Sequence, residues 1–211
     1  MNLELRQLTL EQLRTLHATE LHEAFPPEEL KPIGAMEELL RRGAYHPVGA
    51  WEGEDLVGYA LLWTGPASGY VLVDYLGVTA PRRSQGLGSQ ILRLLGETFQ
   101  DRDGILVESE APQGGEQDAL QRRRLAFYAR CGFVPLLFGV HYRTFLLSPN
   151  GKGTEGAALA AHQALYAAQF PPEVLARYIQ IPRDPAAPLA ALGSWAGKIH
   201  LPGWEEKGVS V

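Results

Sequence analysis

The chain has 211 residues, 45% hydrophobic and 20% charged, with a formal charge of −5 and one cysteine, Cys131. At roughly 100–200 residues per domain this predicts one domain with an appendage, large enough to bury a core without a metal or disulfide staple. The composition excludes an extended disordered chain, a cysteine-built metal site and an internal disulfide, and no apolar run reaches the ~20 residues of a membrane span. The opening Met1-Asn2-Leu3-Glu4-Leu5-Arg6 lacks the basic flank and apolar stretch of a secretory signal, so the expected address is the cytoplasm.

Leu3, Leu5 and Gln7 alternate with polar neighbours as in a short strand. Thr9-Leu10-Glu11-Gln12 reads as a capping box opening a helix that carries Leu10, Leu13, Leu16, His17, Leu21 and Phe25, with Pro26-Pro27 as its stop. A second helix is predicted over Ala35 to Arg42, ended by Gly43. His46 to Trp51 and Leu56 to Trp63 flank Glu52-Gly53-Glu54-Asp55 as a hairpin. The apolar run Tyr70 to Val78 is the strongest strand. It leads through Pro81-Arg82-Arg83-Ser84-Gln85-Gly86-Leu87-Gly88 into an amphipathic helix reaching Phe99. Gly104 to Glu110 is a strand, Ala119 to Cys131 a helix closed by Gly132, and Phe133–Phe138 and Tyr142–Leu147 are two further strands. The order predicts a mixed α/β sheet, mostly antiparallel, twisted and flanked by helices. Composition shifts at Ser148-Pro149-Asn150-Gly151. Residues 1–147 are therefore read as the domain and 148–211 as an appendage: an Ala-rich helix over Ala157 to Phe170, a short helix through Tyr178 and a Pro/Gly-rich stretch with Trp195 and Trp204. The Ala-rich helix suits either a homodimer seam or a cover over a cleft.

Residues 1–147 hold 14 basic and 19 acidic side chains, and the first 55 hold 5 and 11. Such a surface repels phosphate backbones, excluding nucleic acid as the expected partner, and favours cationic small molecules.

Arg83 to Ser89 joins a strand to a helix. Its glycines let backbone approach a ligand, and the amides at the helix N-terminus favour an anion, so the segment predicts a phosphate cradle. A P-loop is excluded because no lysine follows either glycine, and a dinucleotide fingerprint because the third glycine is missing. The pattern R/Q-x-x-G-x-G/A is met in full by Arg83-Ser84-Gln85-Gly86-Leu87-Gly88. With Phe127-Tyr128-Ala129-Arg130-Cys131-Gly132-Phe133 further along, which is similar to an F-Y-x-x-x-G-F signature, the sequence resembles the GNAT superfamily of acetyl-CoA-dependent N-acetyltransferases over about residues 1–147.

The resemblance implies a GNAT-like fold and transfer of the acetyl group of acetyl-CoA to a primary amine. It places the coenzyme pyrophosphate on Arg83, Ser84, Gln85, Gly86, Leu87, Gly88 and Ser89. It places the pantetheine arm along Leu76, Gly77 and Val78, where the fourth and fifth strands splay and Gly77 fits an expected bulge. Tyr128 is implied as the acid that protonates the departing thiolate, close to the coenzyme sulfur. Period-two alternation puts Leu106, Glu108 and Glu110 on one strand face. Glu108 interrupts an apolar run and is the candidate base, its alternative being an ion pair with one of Arg122, Arg123 and Arg124. Asp74 interrupts the preceding strand likewise and ranks lower. Glu28, Glu29 and Glu110 are candidate acceptor ligands, with Glu20, Glu23 and Phe25 nearby; a solvated helical turn is the alternative for Glu28 and Glu29. The six histidines show no metal-ligand spacing, no G-x-S-x-G elbow is present, and no metal is expected. The acceptor is read as a small-molecule or peptide amine. The non-enzymatic alternative is an acyl-CoA-binding module on the same fold.

Overall fold

The computed structural model describes residues 3–173 apart from Glu28, 66–67, 113 and 137–141. β1 (Leu3–Gln7) is followed by a helical run: α1 (Leu10–Leu16), a π-helical turn (His17–Leu21) and α2 (His22–Ala24). The predicted capping box is present: Gln12 N donates to Thr9 Oγ1 at 3.2 Å and Thr9 N to Gln12 Oε1 at 2.8 Å. The wider π turn is a feature that helical periodicity does not show. It is tied by His22 Nδ1 donating to the His17 carbonyl at 2.6 Å.

α3 (Ile33–Arg41) begins two residues earlier than predicted because Pro32 serves as its N-cap. Next come β2 (Tyr45–Glu52), β3 (Asp55–Thr64), β4 (Tyr70–Val78), a 3₁₀ turn (Ala80–Arg82), α4 (Leu87–Thr98), β5 (Gly104–Glu110) and α5 (Asp118–Arg130). β6 (Val134–Pro135), β7 (Tyr142–Leu147) and α6 (Glu155–Ala167) complete the described elements. The expected strand Phe133–Phe138 is seen only as β6: Phe133 and Leu136 flank it outside regular pairing, and 137–138 fall outside the described residues. The expected short helix through Tyr178 lies outside them too, as do Trp195 and Trp204, and Glu173 is the last residue described.

The seven strands form one sheet in the order β1-β2-β3-β4-β5-β7-β6. All neighbours run antiparallel except β4 and β5. The β4–β5 crossover runs through α4, as a parallel pair demands. Each face buries its own apolar layer. Leu13, Leu16, Met36 and Leu39 of the N-terminal helices meet Tyr59, Leu61, Trp63, Leu72 and Leu106 on one side, and Ala158, Leu159 and Leu165 of α6 join the same layer. Leu87, Ile91, Leu92 and Leu95 of α4 cover Val57, Leu62, Val71, Ile105 and Val107 on the other.

Two departures from regular pairing shape the site. β4 and β5 pair only from Tyr70↔Gly104 to Val73↔Val107, whereas on its other edge β5 pairs with β7 from Ile105↔Leu147 through Glu110↔Tyr142. The β5-facing edge of β4 from Asp74 to Val78 is thereby released from the ladder. The bulge in β4 is at Asp74, not at Gly77 as expected: Leu61 opposes Tyr75 and Leu62 opposes Val73, leaving Asp74 as the extra residue. Gly77 is glycine for another reason. A Cβ there would run into the ring of Tyr59, a buried residue on β3.

Candidate active site

A cavity of about 630 Å³ occupies the gap between the splayed strands. Its walls come from Tyr75 to Val78 on β4, Glu108 to Glu110 on β5, and Leu120, Arg124 and Tyr128 on α5. Glu23, Phe25, Glu29 and Lys31 add the segment after α1, while Tyr166 and Phe170 come from α6 and the residues just after it. The structure therefore brings together Leu76, Gly77, Val78, Arg83, Glu29, Glu108, Glu110 and Tyr128 of the predicted site residues around one space. Glu28 lies outside the described residues.

At one end stands the turn before α4. Ser84 has φ +65° and Gly86, the helix N-cap, has φ +79°. Left-handed backbone at both positions aims the chain outward, and the first-turn amides of Leu87, Gly88 and Ser89 have no intrahelical acceptor by the geometry of a helix. Arg83, Ser84, Gln85 and Gly86 are exposed. Gly88 sits where a Cβ would approach Phe127 Cζ to 3.3 Å, so its lack of a side chain lets α4 pack against α5. Backbone N–H groups at the positive end of a helix dipole, with the Arg83 guanidinium beside them, give this turn the chemistry to take an anion. Arg83 Nε also donates to the Val78 carbonyl at 3.3 Å, tying the cradle to the free edge of β4.

Tyr128 lies between the cradle and the deeper cavity. Its ring is held by Phe127 at 5.3 Å and by Phe133 and Phe145, each at 5.8 Å between centroids. Burial pushes its phenol up to about 12 against the opposing pull of Arg124, so it is a proton donor at neutral pH. The remaining predicted site residues divide by partner. Glu110 stands 3.7 Å from Arg124 Nη1 and accepts from Gln121 Nε2 at 3.4 Å. Glu108 meets none of Arg122, Arg123 and Arg124 in the ion pair weighed for it. Its Oε1 accepts from His162 Nε2 at 2.7 Å and its Oε2 from the Tyr166 hydroxyl at 2.8 Å. Burial raises the Glu108 carboxyl, but His162, Tyr166 and the field of Lys31 outweigh it and hold the group below the usual carboxylate range.

Sequence reasoning missed Lys31, His162 and Tyr166, and ranked Asp74 only as a lesser candidate base. Lys31 and Asp74 form a buried pair, Nζ to Oδ1 2.5 Å, with Tyr45 donating to Asp74 Oδ2 at 2.7 Å. The Lys31 ammonium also lies 5.5 Å from the Trp63 ring centroid and 5.4 Å from that of Tyr75. The Tyr75 hydroxyl accepts from Lys31 N at 2.9 Å and donates to the Glu29 carbonyl at 2.8 Å, fixing the segment that carries Glu29. His162 and Tyr166 are the other two that were missed. Their i, i+4 spacing puts both on one helix face, a signal present in the sequence but masked by its alanine-rich surroundings. No cluster of His, Cys, Asp or Glu able to hold a metal is found among the described residues. Nor is any helix among them long and apolar enough to cross a membrane.

A parallel strand pair opening into a cleft, a glycine-containing turn at the N-terminus of the next helix and a buried tyrosine on the helix after that define an acyl-coenzyme-type transferase architecture. Residues 10–133 match the acetyltransferase (GNAT) family. The chain belongs to that family. Over 112 residues it is 34% identical to the Bacillus subtilis (strain 168) protein that carries the name "Putative acetyltransferase YjbC", a stretch making up 52% of each protein. The chain thus spans about half the length of the curated relative it matches. Solved structures share the fold. A GNAT-family protein from Desulfovibrio desulfuricans gives a TM-score of 0.55 at 24% identity, covering 70% of this chain and 99% of that one. An acetyltransferase from Thermus thermophilus gives 0.56 at 16%, covering 70% and 97%. Spermidine N-acetyltransferase from Vibrio cholerae, solved with CoA and spermine, gives 0.56 at 13%, covering 71% and 97%.

Proposed function

We propose that the chain is an N-acetyltransferase that moves the acetyl group of acetyl-CoA to a primary amine of a cationic acceptor. The observation that carries this reading is that one cavity is lined by the free β4 edge at Leu76–Val78, by Tyr128 and by Arg83, the residue that opens the turn into α4 and is tied to Val78. The residues fit acetyl-CoA. Backbone amides of Gly86, Leu87, Gly88 and Ser89, with Arg83, Ser84 and Gln85, take the pyrophosphate. The β5-facing edge of Leu76, Gly77 and Val78 takes the amide-bearing pantetheine arm as an added strand.

In the reaction the acceptor nitrogen, as neutral amine, attacks the thioester carbon. The C–N bond forms, the C–S bond breaks, and the departing thiolate takes the Tyr128 proton. The proton lost by the nitrogen passes to the Glu108 carboxylate, directly or through water, and on to solvent, from which Tyr128 regains its own. A phenol near 12 is a weaker acid than a free thiol of ~8.5, so Tyr128 donates only as negative charge develops on sulfur and does not ionise beforehand.

The acceptor end favours cations. Glu23, Glu29, Asp74, Glu108 and Glu110 line the cavity with Lys31, Arg83 and Arg124, five carboxylates to three cations, and the aromatic residues Phe25, Tyr166 and Phe170 line the same space. The acetylation of a polyamine by a protein sharing this fold supports that choice. The test is coenzyme A thiol release from acetyl-CoA across polyamines, aminoglycosides, amino acids and short peptides. Turnover on a multiply charged amine is expected; binding of acetyl-CoA without turnover of any amine favours the non-catalytic module.

A further inference from the structure

Helix α6 lies beyond residues 10–133, the stretch that matches the family, yet it reaches into the acceptor end of the cavity. Its anchorage is apolar, through Ala158, Leu159 and Leu165. From that anchor His162 and Tyr166, one turn apart, meet Glu108 on β5, their sequence separations from it being 54 and 58 residues. His162 is buried, and its ring lies 4.7 Å from that of Tyr166. Tyr166 packs edge-on against Trp63 at 5.3 Å, so its hydroxyl has one fixed approach to the carboxylate. The two contacts take one lone pair on each oxygen of Glu108, fixing the plane of the carboxylate while it still borders the cavity.

We propose that His162 and Tyr166 are positioning residues for Glu108: from helix α6 they hold its carboxylate ionised and turned toward the acceptor amine, so that the segment after the family match completes the acceptor end. This rests on the N-acetyltransferase reading. A carboxylate free to rotate among apolar walls would take up a proton or swing onto Lys31. One clamped at both oxygens stays charged and presents its remaining lone pairs to an ammonium or to the water that relays its proton. The other charged groups lining the cavity near it are Lys31, Asp74 and Glu110, with Arg124 and the Tyr128 phenol from α5. Of these, the Lys31 field also favours the ionised form.

The experiment uses the full chain and the conservative variants His162→Gln and Tyr166→Phe, with Glu108→Gln as reference. Carboxyl ¹³C NMR, assigned by loss of the signal in Glu108→Gln, follows the Glu108 titration without any acceptor. The wild-type carboxyl titrates below the normal glutamate range, and each variant moves it upward. Steady-state thiol release with the best amine then gives an acid limb of kcat/KM that shifts to higher pH in both variants. With Tyr166→Phe kcat drops about tenfold, as expected for losing a hydrogen bond to a charge, while acetyl-CoA affinity stays within about twofold. His162→Gln adds little to the loss in a Glu108→Gln background, because the two act through one group. An unmoved Glu108 titration in both variants overturns the proposal, as does a fall in activity with an unshifted acid limb. If one variant fails to fold, the other decides. Absence of turnover by the wild type would instead overturn the transferase reading, leaving the carboxyl titration to judge the clamp separately.

Discussion

Lys31 and Asp74 show how much a single pair contributes at the floor of this cavity. Their side chains are 10% and 11% exposed, so removing one partner strands a charge in a poorly solvated place. Asp74→Asn should cost about 3 kcal/mol in urea unfolding, and the double change Asp74→Asn with Lys31→Met should recover most of it. A loss under about 1 kcal/mol would mean that the pair is solvated like a surface ion pair. For Tyr128 the prediction is kinetic. Tyr128→Phe keeps the ring packing against Phe133 and Phe145 and removes the proton, so kcat should fall about 10²-fold with the acetyl-CoA dissociation constant unchanged. Because its phenol is pushed up to about 12, Tyr128 adds no basic limb to the pH profile until that value is approached. The strand-to-helix turn at Arg83 to Ser89 and the helix that carries Tyr128 were legible in the sequence, since each sits in a short contiguous pattern. Lys31, His162 and Tyr166 were not, nor was the partner of Asp74, because their meaning is a contact between distant segments: 43 residues separate Lys31 from Asp74 and 54 separate Glu108 from His162.

Among the elements, the turn into α4 is where local conformation bears most directly on the proposed coenzyme binding. Gly86 holds φ +79° with open space around its missing Cβ, so an alanine there meets no clash but does meet the left-handed backbone penalty of ~1–2 kcal/mol. Gly86→Ala should relax the turn, misdirect the Leu87 and Gly88 amides and weaken acetyl-CoA by about tenfold in calorimetry. Unchanged affinity would remove the cradle from the account. The order of strands and helices was readable from hydrophobic periodicity and from Gly and Pro punctuation. The position of the β4 bulge was not. Gly77 has the composition of a bulge residue, whereas Asp74 is driven into that role by its partners, Lys31 and Tyr45 on other segments. The π turn at His17–Leu21 escaped for the same reason, its tie from His22 to His17 being invisible to periodicity.

At the scale of the molecule, α6 links stability to the site. Leu165 is 1% exposed in the layer shared with the N-terminal helices, and Leu165→Ala should cost about 2–5 kcal/mol and lower the thermal midpoint. Thermal unfolding of that variant at the wild-type midpoint would show that α6 is not part of the cooperative core. The clamp on Glu108 also sets a pH dependence. Its carboxyl is lowered in the folded chain from an ordinary 4.5, so its contribution to stability is present above that value and drains away as pH falls through the folded one. His162→Gln should therefore reduce stability at neutral pH and flatten its decline in acid. The measurement that goes most directly to the central claim is thiol release from acetyl-CoA by the full chain against the amine panel. The account predicts release that depends on the amine and is fastest with a multiply charged one. Failure to bind acetyl-CoA, with no release in the presence of any amine, would contradict it.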